Sequence, residues 1–143
     1  MHPIGYVRTS YREPSDAPSQ ASESGGAVAE VVLDDQFVDG LLGLEQYEYL
    51  WLFTWLHVRG GQAAALRVVP RVTQETGELQ GVFACRFPQR PNPIGLSLVR
   101  QIGIEGNVIT LAGVDVVDGT PVLDIKPWFD DCDLPSNFES SPG

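Results

Sequence analysis

The chain has 143 residues, 43% of them hydrophobic, which fits one globular domain with a real core and excludes a disordered chain. Nine Lys and Arg stand against nineteen Asp and Glu, a formal net charge of −10 that argues against broad electrostatic binding to nucleic acid. A local basic patch stays open, because Arg67, Arg71, Arg86, Arg90 and Arg100 fall in one third of the chain. Cys85 and Cys132 have no CxxC partner or histidine series, so neither a disulfide framework nor a metal site is expected. No basic-then-apolar leader opens the chain, and the apolar run Leu50 to Val58 is too short to span a bilayer. The expectation is a cytoplasmic protein.

Ile4 to Arg8 reads as a strand, followed by a long polar loop from Ser10 to Gly26 with Pro14, Pro18, five serines and a Gly25-Gly26 pair. Ala27 to Leu33 is a second strand, and Asp34 to Phe37 starts a short helix with Asp35 as N-cap. A helical turn is expected around Leu44 to Tyr47. Tyr49 to Val58 carries aromatics at odd positions and leucines at even ones, which suits a strand buried on both faces. Ala64 to Val72 is another strand, ended by the turn Gln74 to Gly77. Ile94 to Ile104 and Asn107 to Leu111 form a hairpin with Gly106-Asn107 as turn chemistry. Val122 to Ile125 is a last short strand, with Asp124 and Lys126 on one side of it as an ion pair. After Pro127 an extended acidic tail is expected, with Trp128 and Phe129 docked. Many short strands and little helix predict a mainly β fold, a single small β-barrel with one or two short helices over 1–130 and an acidic tail over 131–143. No glycine-rich dinucleotide turn is present, which disfavours a doubly wound sheet.

The segment Gly81 to Ser97, GVFACRFPQRPNPIGLS, is the least generic part of the chain. It reads as strand, rigid loop, strand. Pro88, Pro91 and Pro93 fix φ and remove three amide donors, so Phe87 to Pro93 cannot be helical. Arg86 and Arg90 offer planar forks suited to carboxylate or phosphate. A loop this stiff holds its polar groups in place before a ligand arrives.

These residues resemble the signature of the TsaA-like family, also called TrmO or YaeB-like, which runs close to G-V-F-A-T-R-S-P-x-R-P-N-P-I-G-x-S. Ile4 to Tyr11 resembles the family's opening strand, and Val117 to Pro127, VDGTPVLDIKP, its closing motif. The resemblance covers nearly the whole chain. It implies an S-adenosylmethionine-binding β-barrel, a homodimer with the cofactor site near the subunit interface, and methylation of a modified adenosine beside the tRNA anticodon. The characterised tRNA methyltransferases carry a further C-terminal domain with an Asp-Pro-Arg motif. This chain stops at Gly143, and so resembles a short, single-domain member.

The resemblance implies cofactor contacts residue by residue. A P-R-Q segment falls on Pro18, Ser19 and Gln20, with serine in place of the arginine. The family histidine is His57, otherwise a core histidine at the end of an apolar run, followed by Val58 where a polar residue is common. Arg86 matches the signature arginine; its alternative is a surface ion pair. Leu96 would add a backbone or apolar contact. Asp115, Val116, Val117, Asp118, Gly119 and Thr120 would form a cofactor wall, although Asp118-Gly119-Thr120-Pro121 is also simply a good turn. Cys85 and Phe87 replace a threonine and a serine, making the pocket edge more apolar. Arg90 and Asn92 either shape the loop or touch substrate. The long loop Ser10 to Gly26 is expected to close over the cofactor. A sulfonium is already an excellent leaving group, so positioning is most of the task and no nucleophile is needed. No triad is readable, and the catalytic residue is left unassigned. The tRNA acceptor is set against the acidity of the chain, and a small-molecule or other RNA methyltransferase, or a non-catalytic S-adenosylmethionine-binding scaffold, are the alternatives.

Overall fold

The computed structural model describes residues 2–10, 28–56, 66–70, 73–86 and 88–135. Six strands close into an antiparallel barrel: β1 (Gly5–Arg8), β2 (Val28–Leu33), β3 (Tyr49–Trp55), β6 (Ile94–Glu105), β7 (Val108–Ala112) and β8 (Pro121–Pro127). Their order around the barrel is β1-β2-β7-β6-β3-β8, with β8 returning to β1. A separate two-stranded ribbon pairs β4 (Arg67–Val68) with β5 (Gln80–Gly81). The mainly β barrel expected from the strand pattern is the fold.

Period-two alternation sets which side chains fill the barrel. On β3 Leu50, Leu52 and Thr54 point in, and on β6 Gly95, Ser97 and Val99 do. With Val7, Ala29, Val31, Ile109, Leu111, Val114, Val116 and Val122 the aliphatic residues make one buried cluster. Each fully buried Val or Leu contributes about 1.5–3 kcal/mol of transfer free energy. The two-residue Gly106–Asn107 connection between β6 and β7 is as expected, and the Asn107 side-chain amide also donates to the Leu33 carbonyl at 2.8 Å. The Gln101 amide donates to the carbonyls of Leu44 (2.9 Å) and Tyr47 (2.7 Å), fastening the 3₁₀ turn Leu44–Gln46 to β6.

Several expectations are corrected. The helix after β2 is 3₁₀, spans Asp35–Leu41, and has Asp34 rather than Asp35 at the N-cap, without a side-chain capping bond. β3 is buried on one face only: Tyr49, Trp51, Phe53 and Trp55 face outward and are partly exposed. Alternation of leucines with aromatics is two-faced because both are apolar, so composition alone could not show which face meets the core. Of the strand read over Ala64 to Val72, only Arg67–Val68 is a strand among the described residues. The run before the rigid loop is a two-residue strand followed by a 3₁₀ turn at Val82–Ala84. Beyond Pro127 the chain makes one turn of helix, α1 (Asp130–Asp133), rather than continuing extended. Trp128 and Phe129 are docked as expected, edge-on against Tyr49 and Tyr47 with centroids 6.2 and 5.7 Å apart.

Gly5 is where β1 and β2 come closest. A Cβ there would strike the Val32 carbonyl oxygen and lie 2.9 Å from the Leu33 Cα, all of it backbone that cannot swing away. Gly5→Ala is therefore expected to lose about 1–3 kcal/mol in urea unfolding. A change under about 0.5 kcal/mol would show that the barrel wall yields there.

Candidate functional site

Because the strands are antiparallel, the ends of β1, β3 and β7 and the starts of β2, β6 and β8 lie at one mouth of the barrel. The rigid loop enters β6 at this mouth, and the β7–β8 connection crosses it. Arg86 follows directly after the Val82–Ala84 turn and is exposed. Arg90 braces the turn: its guanidinium donates to the carbonyls of Val82 and Cys85, each at 2.9 Å. Both bonds shape the loop, the first of the two roles open to Arg90. Asn92 is exposed, and its carbonyl accepts from the Ile94 amide at 2.7 Å.

The β7–β8 connection is tied down almost completely. Val116 and Val117 are buried. Asp118 Oδ1 accepts from the Thr9 amide at 3.0 Å, and the Gly119 amide donates to the Val7 carbonyl at 2.7 Å. Gly119 has φ 83°, a left-handed conformation that favours glycine. Thr120 is buried, and its hydroxyl donates to the Val117 carbonyl at 2.7 Å.

Asp115 is different. Its Oδ1 accepts from the Ser97 hydroxyl at 2.7 Å. Burial pushes the Asp115 carboxyl above its ordinary value, while the Ser97 bond, its own amide and the charge of Arg86 draw it partly back. The structure thus joins Asp115 to Ser97, with Arg86 near enough for its charge to act on the carboxyl. Ser97 is the residue the sequence reading missed. The available signal was a polar side chain at an inward position of β6, two residues after Gly95. A second inward hydroxyl, Thr54 Oγ1, is fully buried with no hydrogen-bond partner among the described residues. Leu96 faces outward from β6, paired with Phe53 of β3. Pro18, Ser19, Gln20, His57 and Val58 lie outside the described residues, as does the loop expected to close over the cofactor.

A groove of about 500 Å³ lies at the other mouth, between Ile4, Leu33, Phe37, Leu41, Tyr47 and Ile125. Its walls are mainly apolar, with Gln46 and Asp124 as its polar side chains beside the Tyr47 ring, and Asp124 is paired with Lys126 at 3.1 Å. Among the described residues no cluster of three His, Cys, Asp or Glu could hold a metal ion, and no helix is long and apolar enough to cross a membrane.

Comparison with known proteins finds relatives over most of the chain. The profile of the tRNA-methyltransferase O N-terminal domain family matches residues 6–134. A probable S-adenosyl-L-methionine-binding protein of Methanothermobacter thermautotrophicus is 38% identical over 133 residues, 93% of this chain and 92% of its own length. The human tRNA (adenine(37)-N6)-methyltransferase is 34% identical over 139 residues, 94% of this chain but only 31% of that protein. The crystal structure of TrmO from Pseudomonas aeruginosa superposes with a TM-score of 0.73 at 37% identity, covering 94% of this chain and 59% of that one. The chain therefore spans nearly the whole of the archaeal relative, about a third of the human one and under two thirds of the Pseudomonas one.

The brace on the rigid loop is testable. Arg90→Lys keeps the charge but loses the fork that spans two carbonyls. It is expected to weaken ligand binding at Arg86 about tenfold, close to the 1.4 kcal/mol lost with one charge-assisted hydrogen bond. Titration calorimetry reads the change, and unchanged affinity would mean that the prolines alone hold the loop.

Proposed function

We infer that this chain, which belongs to the tRNA-methyltransferase O N-terminal domain family, binds S-adenosylmethionine at the signature mouth of its barrel and transfers the methyl group to an adenine N6 of tRNA. The observation that carries the reading is the Asp115–Ser97 pair with the charge of Arg86 acting on it, on a pre-stiffened loop and a tied-down wall. The residues fit the cofactor. An exposed guanidinium suits the carboxylate of its methionine end, and segment 115–120 offers a wall of backbone groups and apolar side chains. When bound, the cofactor supplies an electrophilic methyl on a leaving group that needs no activation. The protein's part is to hold the acceptor in line with it.

Acidity constrains how tRNA can dock. Arg8 is paired with Glu30 at 2.9 Å and Arg100 with Glu48 at 3.1 Å, so part of a small cation supply is already committed. Phosphate contacts are therefore few, and they are concentrated near Arg86. A second reading, in which S-adenosylmethionine binding is the whole function, is favoured by the archaeal relative of matching length, whose name claims binding alone. A cytoplasmic location accords with the free thiols of Cys85 and Cys132.

A homodimer is part of the proposal. Trp51, Phe53 and Trp55 of β3 pair across the strand boundary with Leu98, Leu96 and Ile94 of β6, all facing outward. Ile94, Leu96 and Leu98 are 43%, 43% and 40% exposed. Asp133 of α1 caps one end of this sheet by accepting from the Trp51 indole at 3.2 Å. The end beside the rigid loop keeps its apolar face, and a second copy laid on it would bring two sites together.

Calorimetric titration of S-adenosylmethionine into the wild type should show micromolar binding, about −8 kcal/mol, weakened at least tenfold in Arg86→Ala. Methyl incorporation into tRNA from cells deleted for this protein then separates the two readings: binding without transfer supports the binding-only one. Sedimentation should give a dimer for wild type and a folded monomer for the double variant Leu96→Glu, Leu98→Glu. A dimer that survives those charges must use another face.

A further inference from the structure

We propose that Asp115 takes up the proton released when the acceptor nitrogen is methylated, and that Ser97 is the residue that positions it. The proposal rests on the methyl-transfer reading above. Within the β7–β8 connection the other polar side chains are spent on structure: Asp118 holds the Thr9 amide and Thr120 holds the Val117 carbonyl. Asp115 alone there is turned toward β6, where the Ser97 hydroxyl donates to its Oδ1 at 2.7 Å. Ser97 is 3% exposed, at an inward position where its neighbours along the strand core are apolar. A hydroxyl placed there satisfies the carboxylate rather than the core.

Among the described residues the groups that face Asp115 are few. From β6 there is Ser97; from the rigid loop, the charge of Arg86 acts at longer range; from its own connection, Asp118 is turned away to Thr9. Burial makes the carboxyl a stronger proton acceptor than a free aspartate, and the Ser97 bond limits that effect. In the step itself the lone pair of the acceptor amine forms the new N–C bond. The C–S bond breaks with its electron pair going to sulfur, leaving a neutral thioether. As the N–C bond forms, the nitrogen gains positive charge and its N–H proton passes to the Asp115 carboxylate. Asp115 becomes a neutral carboxylic acid and afterwards returns the proton to water. No further reactant is needed.

The test begins with the unliganded protein. The carboxyl carbon of Asp115, followed by NMR on ¹³C-aspartate-labelled protein, should titrate above 3.8, its ordinary value, and its midpoint should rise further in Ser97→Ala. A raised folded value means that protonation favours the native state. That contribution is complete below the ordinary value and is lost as pH rises through the folded one. Asp115→Asn never ionises, so it should melt above wild type at pH 7, with the gap closing as pH falls toward 3.8. With tRNA from the deletion strain, and with [methyl-³H]S-adenosylmethionine at saturation because Asp115 also belongs to the proposed cofactor wall, Asp115→Asn should lose roughly 100-fold or more in kcat. Ser97→Ala should retain turnover at high pH, with the acidic limb of its kcat profile shifted upward. Wild-type transfer with Asp115→Asn within about threefold in kcat, or a Ser97→Ala limb that does not move, overturns the assignment and leaves methyl transfer standing. Wild-type protein that transfers no methyl group overturns both.

Discussion

The barrel depends on its narrowest seam, where β8 returns to β1. Only two residue pairs register there, Gly5 with Val122 and Tyr6 with Pro121, and Pro121 has no amide to give. Closure is completed by the turn just upstream. The Ile4 amide reaches the Val122 carbonyl at 2.7 Å, the Val7 amide the Thr120 carbonyl at 2.9 Å, and the Gly119 amide the Val7 carbonyl at 2.7 Å. Asp118 adds a side-chain bond to Thr9. Without this turn β1 and β8 would both be edge strands with unpaired groups. The motif that resembles a ligand wall is thus also the clasp of the fold, and the site inherits its rigidity from that double duty.

The second mouth-forming element is stiffened in another way. Three prolines keep the loop before β6 from forming regular structure and remove three amide donors. Arg90 supplies donors from a side chain, and because its fork is planar, one residue spans both Val82 and Cys85. Arg86 is bonded to Cys85 through the peptide that Arg90 grips. Two positively charged residues in one motif therefore divide the work: one holds the loop and the other is presented to solvent.

The sequence made β6 and β7 legible through the Gly106-Asn107 turn chemistry between them rather than through polarity, since on β6 the outward Ile94, Leu96 and Leu98 are as apolar as the inward Val99. It was ambiguous on β3, where both faces are apolar, and the outward aromatics acquire a meaning only once the barrel is closed. Element ends were misread where short 3₁₀ turns intervene, at Asp35–Leu41 and Val82–Ala84, because neither has a side-chain cap or a helical period to announce it. Arg86 and the 115–120 segment were found through a long motif. Ser97 belonged to the same motif and was passed over, because its importance lies in a contact eighteen residues away that spacing does not reveal.

The buried polar groups are gathered at one mouth. Thr54, Ser97 and Thr120 are the polar residues buried among those described, and all three lie at the signature mouth. The groove at the other end is lined mainly by leucine, isoleucine, phenylalanine and tyrosine, with Gln46 and Asp124. An aliphatic barrel gains nothing in stability from a hydroxyl with no partner, since desolvating one costs about 1–3 kcal/mol. Thr54 is that case, and its neighbour Gly95 lacks the Cβ that would collide with it. Asp115 adds a carboxyl whose burial disfavours its charge. Thr120 returns its cost through a structural bond to Val117, so Thr54 and Asp115 are the two groups whose burial folding leaves uncompensated, and both lie at the mouth that carries Arg86.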